Sequence, residues 1–243
     1  MKIKATISYD GSKYHGFQIQ TNNNKLSTVA GELTKILKNL NIHTNIVGSG
    51  RTDTGVHATA QVIHFEIPSF WDDVKKLKKR LNQQLSSSLH VKDIQQVDET
   101  FHARFHAKKR LYRYVLYTGV YQPFLAPYAL HVKDINATKL NTILKNFIGI
   151  YDFEYFKKTG SITHSDTRAL FKAGAYQYNN LTIIYFLGNS FLRSQVRMMG
   201  YFALEIMRDN LTLNQLQKQL NKEKKYSTGV LPSNGLYLSK IYY

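Results

Sequence analysis

The chain has 243 residues, 43% of them hydrophobic, enough for one large α/β domain or two small ones. It contains no cysteine, which excludes disulfides, thiolate metal sites and cysteine nucleophiles, and no apolar run approaches the roughly 18 residues that span a bilayer. Lys and Arg total 33 against 16 Asp and Glu, a formal net charge of +17, and the pI is near 9.8: the electrostatic footprint of a nucleic-acid binder. No basic amphipathic segment is followed by a lipid anchor, so an anionic membrane ranks below RNA or DNA as partner. The first residues alternate like a strand and lack the apolar block of a signal peptide, so a soluble cytoplasmic protein is expected.

Ile3, Ala5, Ile7 and Tyr9 alternate with Lys4, Thr6 and Ser8, the period of a half-buried strand, and Asp10-Gly11 marks a turn after it. Leu26, Val29, Leu33, Ile36, Leu37 and Leu40 fall at helical spacing. Short strands are expected over residues 44–47 and 61–67, with a loop over 50–57 between them. Phe70, Val74, Leu77, Leu81 and Leu85 stripe a second helix, and residues 91–97 read as a strand. This order of strand, helix, strand, strand, helix, strand is that of a ferredoxin-like unit. A second pass follows: strand 111–117, helix 137–147, strands 170–178 and 181–187, helix 192–207 and strand 236–241. Only four prolines occur and no Pro/Gly-rich linker separates the passes, so two fused halves, 1–103 and 104–243, are expected.

Loops held by strands can carry catalytic groups while leaving them accessible. Gly50-Arg51-Thr52-Asp53-Thr54-Gly55-Val56-His57 is the segment to examine first. Three glycines between residues 48 and 55 imply an unusual backbone path, and Arg51 and Asp53 stand two apart with His57 four beyond. Composition alone also allows a turn in which the aspartate merely caps the backbone.

Several spaced segments decide between these readings. They are Tyr9-Asp10-Gly11-Ser12-Lys13-Tyr14 with Gly16-Phe17-Gln18, the loop at residues 50–58, and Phe101-His102-Ala103-Arg104-Phe105. Lys109-Arg110-Leu111-Tyr112-Arg113-Tyr114, Phe191-Leu192 with Val196-Arg197, and Gly235-Leu236-Tyr237-Leu238 complete the set. In order and spacing the sequence resembles the TruA-type tRNA pseudouridine synthases nearly end to end. Departures are few: Phe17 stands where Trp is usual, Ala60 where Gly is common and Gln195 where Met is common.

The resemblance implies an α/β (α+β) enzyme of two ferredoxin-like βαββαβ halves sharing a mostly antiparallel sheet, with the active-site cleft between them. It implies Asp53 as catalytic nucleophile, Arg197 as its ion-pair partner and Tyr112 as the aromatic group beside the target base. Arg51 would help turn the nucleotide out of its stem, and His57 and Arg104 are further expected substrate contacts. Moving C1′ from N1 to C5 of uracil involves no redox change, so neither cofactor nor metal is expected. The implied substrate is tRNA, at uridines 38, 39 and 40 of the anticodon stem-loop, bound across a homodimer.

Competing readings remain for individual residues. Period-two spacing puts Tyr112, Tyr114 and Leu116 on one strand face, so core packing competes with base stacking for Tyr112. The run Lys75-Lys76-Leu77-Lys78-Lys79-Arg80 reads as a solvated helix face or as an RNA backbone contact. His102 and His106 are four apart but have no convincing third metal ligand nearby. Asp53-Thr54-Gly55 also spells the aspartic-protease triplet, yet Asp166-Thr167 is followed by Arg168 and supplies no second copy. The rival to an enzyme is a non-catalytic RNA-binding module or RNA chaperone, which leaves the Asp53, Tyr112 and Arg197 set without purpose.

Overall fold

A computed structural model describes residues 1–20, 26–160 and 164–243. The chain divides into two compact units, Met1–Lys108 with Tyr237–Tyr243, and Lys109–Leu236.

In the first unit the alternation read from the sequence becomes β1, Lys2–Tyr9, whose Ile3, Ala5, Ile7 and Tyr9 are buried. It runs antiparallel to β3, His57–Glu66, on one side and to β4, Leu89–Val97, on the other. The far edge of β3 takes two short partners. One is β2, Val47–Gly48, antiparallel at Ile63 and His64; the other is β10, Leu236–Tyr242, parallel with Tyr237 opposite His57. Helix α1, Val29–Asn39, is capped by Thr28, whose hydroxyl accepts the Gly31 N–H, and buries Val29, Leu33, Ile36 and Leu37. Helix α2, Val74–Gln84, is capped by Asp73 and buries Leu77 and Leu81. The two helices are tied by Ser86 N–H to Glu32 (2.8 Å) and by the Trp71 indole to Leu40 O (3.1 Å).

In this unit four boundaries differ from expectation by three or more residues, the first at Leu26, which precedes α1 because the Thr28 cap starts that helix at Val29. Phe70 is 63% exposed and precedes α2, because the Asp73 cap starts that helix at Val74. The strand expected over 44–47 shrinks to Val47–Gly48. Thr44 instead meets the same sheet through its hydroxyl, which accepts the Glu66 N–H at 3.0 Å. The strand expected over 61–67 starts four residues earlier, at His57, and so takes over the end of the expected loop.

In the second unit β5, Lys109–Tyr117, pairs antiparallel with β9, Leu181–Gly188. Beyond β9 lie β8, Thr167–Tyr178, and the four-residue β7, Gly149–Asp152, both antiparallel to their neighbours. β6, Leu130–His131, adds a short parallel pairing to β5. Helices α3, Ala137–Leu144, and α4, Gln195–Met207, bring Leu140, Leu144, Met199 and Phe202 into a core with Tyr114, Leu116, Ile184 and Phe186. Phe147, Phe156 and Phe202 meet at ring separations of 5.7–5.8 Å for successive pairs with Phe156. Helix α4 begins at Gln195 rather than Leu192 because Ser194 is left-handed (φ 59°) and the Gln195 side chain accepts the Leu192 N–H.

Three elements were not foreseen: β6, β7, and α5, Leu213–Leu220, which starts on a reciprocal capping box between Thr212 and Gln215. Past β7 the outer side of β8 is met by a side chain: the amide oxygen of Asn141, on α3, accepts the Ala175 N–H at 3.0 Å. Both units are thus mixed α/β with mostly antiparallel sheets, as expected.

Candidate active site

The connection between β2 and β3 carries Arg51 and Asp53, and its path is fixed by side chains from other segments. At its start Ser49 N–H donates to Val62 O (2.8 Å) and the Ser49 hydroxyl donates to the side-chain oxygen of Gln61 (2.5 Å). The Gln61 amide, wholly buried, donates in turn to Gly50 O (2.8 Å). In the middle, Thr52 O accepts the Phe17 N–H (3.1 Å) while its hydroxyl meets the Tyr9 phenol inside the core (2.8 Å). Gly16 has φ +96° and passes so close that an added Cβ would lie 2.9 Å from Thr52 O. A turn closes the loop, Val56 N–H donating to Asp53 O (3.1 Å) with Gly55 at φ +77°.

The loop ends on His57, which is 2% exposed. Its Nδ1 accepts the Gly11 N–H at 3.0 Å, so the ring proton belongs on Nε2, and the ring stacks on Tyr237 with centroids 4.7 Å apart. The Asp10 carboxylate stands 3.4 Å from the same nitrogen. Gly11 has no room for a side chain: an added Cβ would lie 2.1 Å from Val56 O. Tyr9, Gly11, Tyr14, Gly16 and Phe17 therefore form the bed of the loop, and this accounts physically for that segment. Arg51 is left exposed and Asp53 partly exposed on a backbone held at both ends.

Arg104 stands on a separate turn of the same unit. Three imidazoles organise that turn by accepting backbone N–H groups at Nδ1: His64 from Ala103 (3.1 Å), His102 from Arg104 and Phe105 (3.2 Å each), and His106 from His102 (3.4 Å). The Tyr243 phenol closes it by donating to Ala103 O (2.8 Å). Arg104 is exposed, its guanidinium 5.9 Å from the ring of Phe105, which stacks on His102. Burial, together with the neighbouring His102 and Lys2, holds the His64 pKa down at about 4. The two histidines at spacing four thus turn one nitrogen each to the backbone.

Tyr112 and Arg197 belong to the second unit. Tyr112, on β5 opposite Phe186, is 8% exposed and meets Phe191 edge-on at 5.2 Å. Tyr112, Tyr114 and Leu116 do share a buried face. Arg197, two residues into α4, is partly buried and donates through Nε to Leu231 O (2.6 Å). The Tyr114 phenol donates to the next carbonyl, Pro232 O (2.7 Å), and burial pushes its pKa above the usual phenol range. One stretch of backbone, residues 231–232, therefore orients Arg197 and anchors Tyr114. Sequence reasoning singled out Arg197 but not its carbonyl partner, nor the roles of Tyr9, Gly11 and Gln61. Buried Gln61, between apolar neighbours, was the available signal.

Residues 5–106 and 143–243 match the family described as tRNA pseudouridine synthase. The chain belongs to the tRNA pseudouridine synthase family, a family of isomerases. Relatives called tRNA pseudouridine synthase A match it along its whole length. The Helicobacter hepaticus protein is 40% identical over 99% of this chain and 98% of its own. That of Campylobacter jejuni serotype O:6 is 34% identical over the full length of both, and that of Helicobacter pylori strain 26695 is 37% identical over 99% of each. Among solved structures, a Cbf5-Nop10-Gar1 complex shows a slight likeness, with a TM-score of 0.36 and 13% identity over 81% of this chain and 44% of that one. Among the described residues no helix is long and apolar enough to cross a membrane.

Proposed function

We propose that the chain converts uridines 38, 39 and 40 of the tRNA anticodon stem-loop to pseudouridine, with Asp53 as nucleophile and no cofactor. The observation that carries this reading is the Asp53 loop. A carboxylate is presented, partly exposed, on a connection whose ends are bonded into the core, in a chain of this family. The reaction breaks C1′–N1, turns the base and joins C1′ to C5. N1 gains a proton and C5 loses one, so the composition of the nucleotide is unchanged. An ionised carboxylate serves any of the three opening steps: attack at C1′, attack at C6, or proton removal from C2′.

Arg197 is proposed to keep that carboxylate charged, its orientation set by Leu231 O. Tyr112 is proposed to lie against the target uracil and Arg51 to occupy the space the flipped nucleotide leaves in its stem. Arg104, exposed beside Phe105, is proposed as an RNA contact. His57 was expected to touch substrate; its burial and its bond to Gly11 support a positioning role instead. A cytoplasmic homodimer binding one tRNA across both subunits completes the proposal.

The test uses tRNA labelled with tritium at C5 of uridine. Wild-type protein should release label from the 3′ side of the anticodon stem, and Asp53→Ala should release none while remaining folded. A wild-type chain that bound tRNA without releasing label would instead be an RNA-binding module.

A further inference from the structure

Helix α2 has two faces of opposite character. Leu77 and Leu81 are buried, while Lys75, Lys76, Lys79 and Arg80 are exposed on the other side. Its eleven residues contain no acid. Lys75 and Lys79, like Lys76 and Arg80, are i,i+4 neighbours of the same sign, an arrangement that destabilises a helix. Lys75 and Lys76 also lie in the first turn, where the helix dipole disfavours cations.

The Asp73 cap offsets part of the dipole effect, but the like-charge neighbours along the exposed face have no acid among them. Among the described residues none of the four cations is ion-paired, and the Arg80 guanidinium reaches only the neutral Gln83 (3.3 Å). Elsewhere some exposed cations are ion-paired, as in Lys139 with Asp209, Lys222 with Asp152 and Arg208 with Glu205. Solubility requires charge but not its concentration on one face.

We propose that the exposed face of α2 docks the phosphate backbone of the tRNA substrate, a reading that rests on the function proposed above. The helical rise sets the paired cations about 6 Å apart along the axis, giving two short rows. Such rows meet phosphates without reading bases, so they hold a tRNA body of any sequence while the Asp53 loop selects the uridine.

The experiment compares wild type with Lys75→Gln/Lys76→Gln/Lys79→Gln/Arg80→Gln, since glutamine nearly matches both cations in helix propensity. A charge-matched control carries Lys133→Gln/Lys145→Gln/Lys224→Gln/Lys225→Gln, all exposed in the second unit. With full-length tRNA the α2 variant should raise KM tenfold or more and leave kcat within about twofold. Its log affinity against log salt should be shallower by about 3, as expected for four lost phosphate contacts. The control should show a much smaller change.

Equal losses in both variants, or an unchanged KM and slope in the α2 variant, overturn the proposal. So does an unchanged tRNA affinity accompanied by lost binding to phosphatidylserine vesicles, which would assign the face to a membrane. If the quadruple variant fails to fold, the pairs Lys75→Gln/Lys76→Gln and Lys79→Gln/Arg80→Gln should each show about half the slope change. A wild type that releases no tritium sinks the proposed reaction alone, because tRNA affinity and its salt slope still report on α2.

Discussion

The phenol oxygen of Tyr9 lies 2.8 Å from the hydroxyl of Thr52, both inside the core, so the last residue of β1 is bonded to the residue immediately before Asp53. Either group can donate, and losing one leaves the other buried with a partner missing. Tyr9→Phe should therefore destabilise the protein by about 1–2 kcal/mol, seen as a lower urea midpoint. It should also lower kcat for tritium release severalfold with KM nearly unchanged. Thr52→Val should do the same, and the double variant should fall short of the sum. Fully additive effects would show that the pair does not act as a unit.

Arg197 donates its Nε to Leu231 O, which fixes the plane of its guanidinium. A lysine keeps the charge but cannot hold the carbonyl and reach a second group as one planar fork. Arg197→Lys is expected to lower kcat by roughly a hundredfold or more, a loss of transition-state stabilisation of about 3 kcal/mol. Thermal unfolding should change little. Normal turnover in this variant would remove Arg197 from the proposed machinery.

The imidazole of His64 makes stability depend on pH in a defined direction. Its folded pKa, about 4, lies below the ordinary 6.5, so the unfolded chain takes up a proton that the folded chain refuses. The stability is present above pH 6.5 and drains away as pH falls from there toward 4, by roughly 2 kcal/mol. Partial burial and the nearby His106 lower the His102 pKa as well, which adds to the same trend. Urea titrations between pH 4 and 7 should show this slope in the wild type, and His64→Gln should flatten it.

Gly11→Ala tests how closely the β1 exit and the loop are pressed together. The added carbon would sit 2.1 Å from the backbone oxygen of Val56, which cannot rotate away. The substitution should lower stability by on the order of 3 kcal/mol and abolish most tritium release. A protein of normal stability would mean that the loop can shift to make room.

Strong periodicity made much of this legible. β1, α1, β4 and β5 lie within a few residues of their expected bounds because each has one buried and one solvated face. β7 escaped because four residues at a sheet edge carry no period, and its Ile150 is 74% exposed. α5 left a signal in Thr212 and Gln215, three apart, which is a capping box ahead of an apolar stripe. At the site, the sequence displayed the groups that face outward, Arg51 and Asp53. The bonds that aim them join residues far apart in the chain, such as Gly11 with His57, and no local pattern encodes such a meeting.

The Asn141 amide on the Ala175 N–H has a consequence for life in a crowded solution. Beyond β7 that strand would otherwise offer its backbone to any passing chain, beside the exposed Phe171, Tyr176 and Tyr178. Occupying one donor from the side, with a group that cannot extend into a ladder, interrupts the template on which fibrillar pairing grows. Asn141 thus shields one backbone donor of β8 from edge-to-edge pairing with another chain.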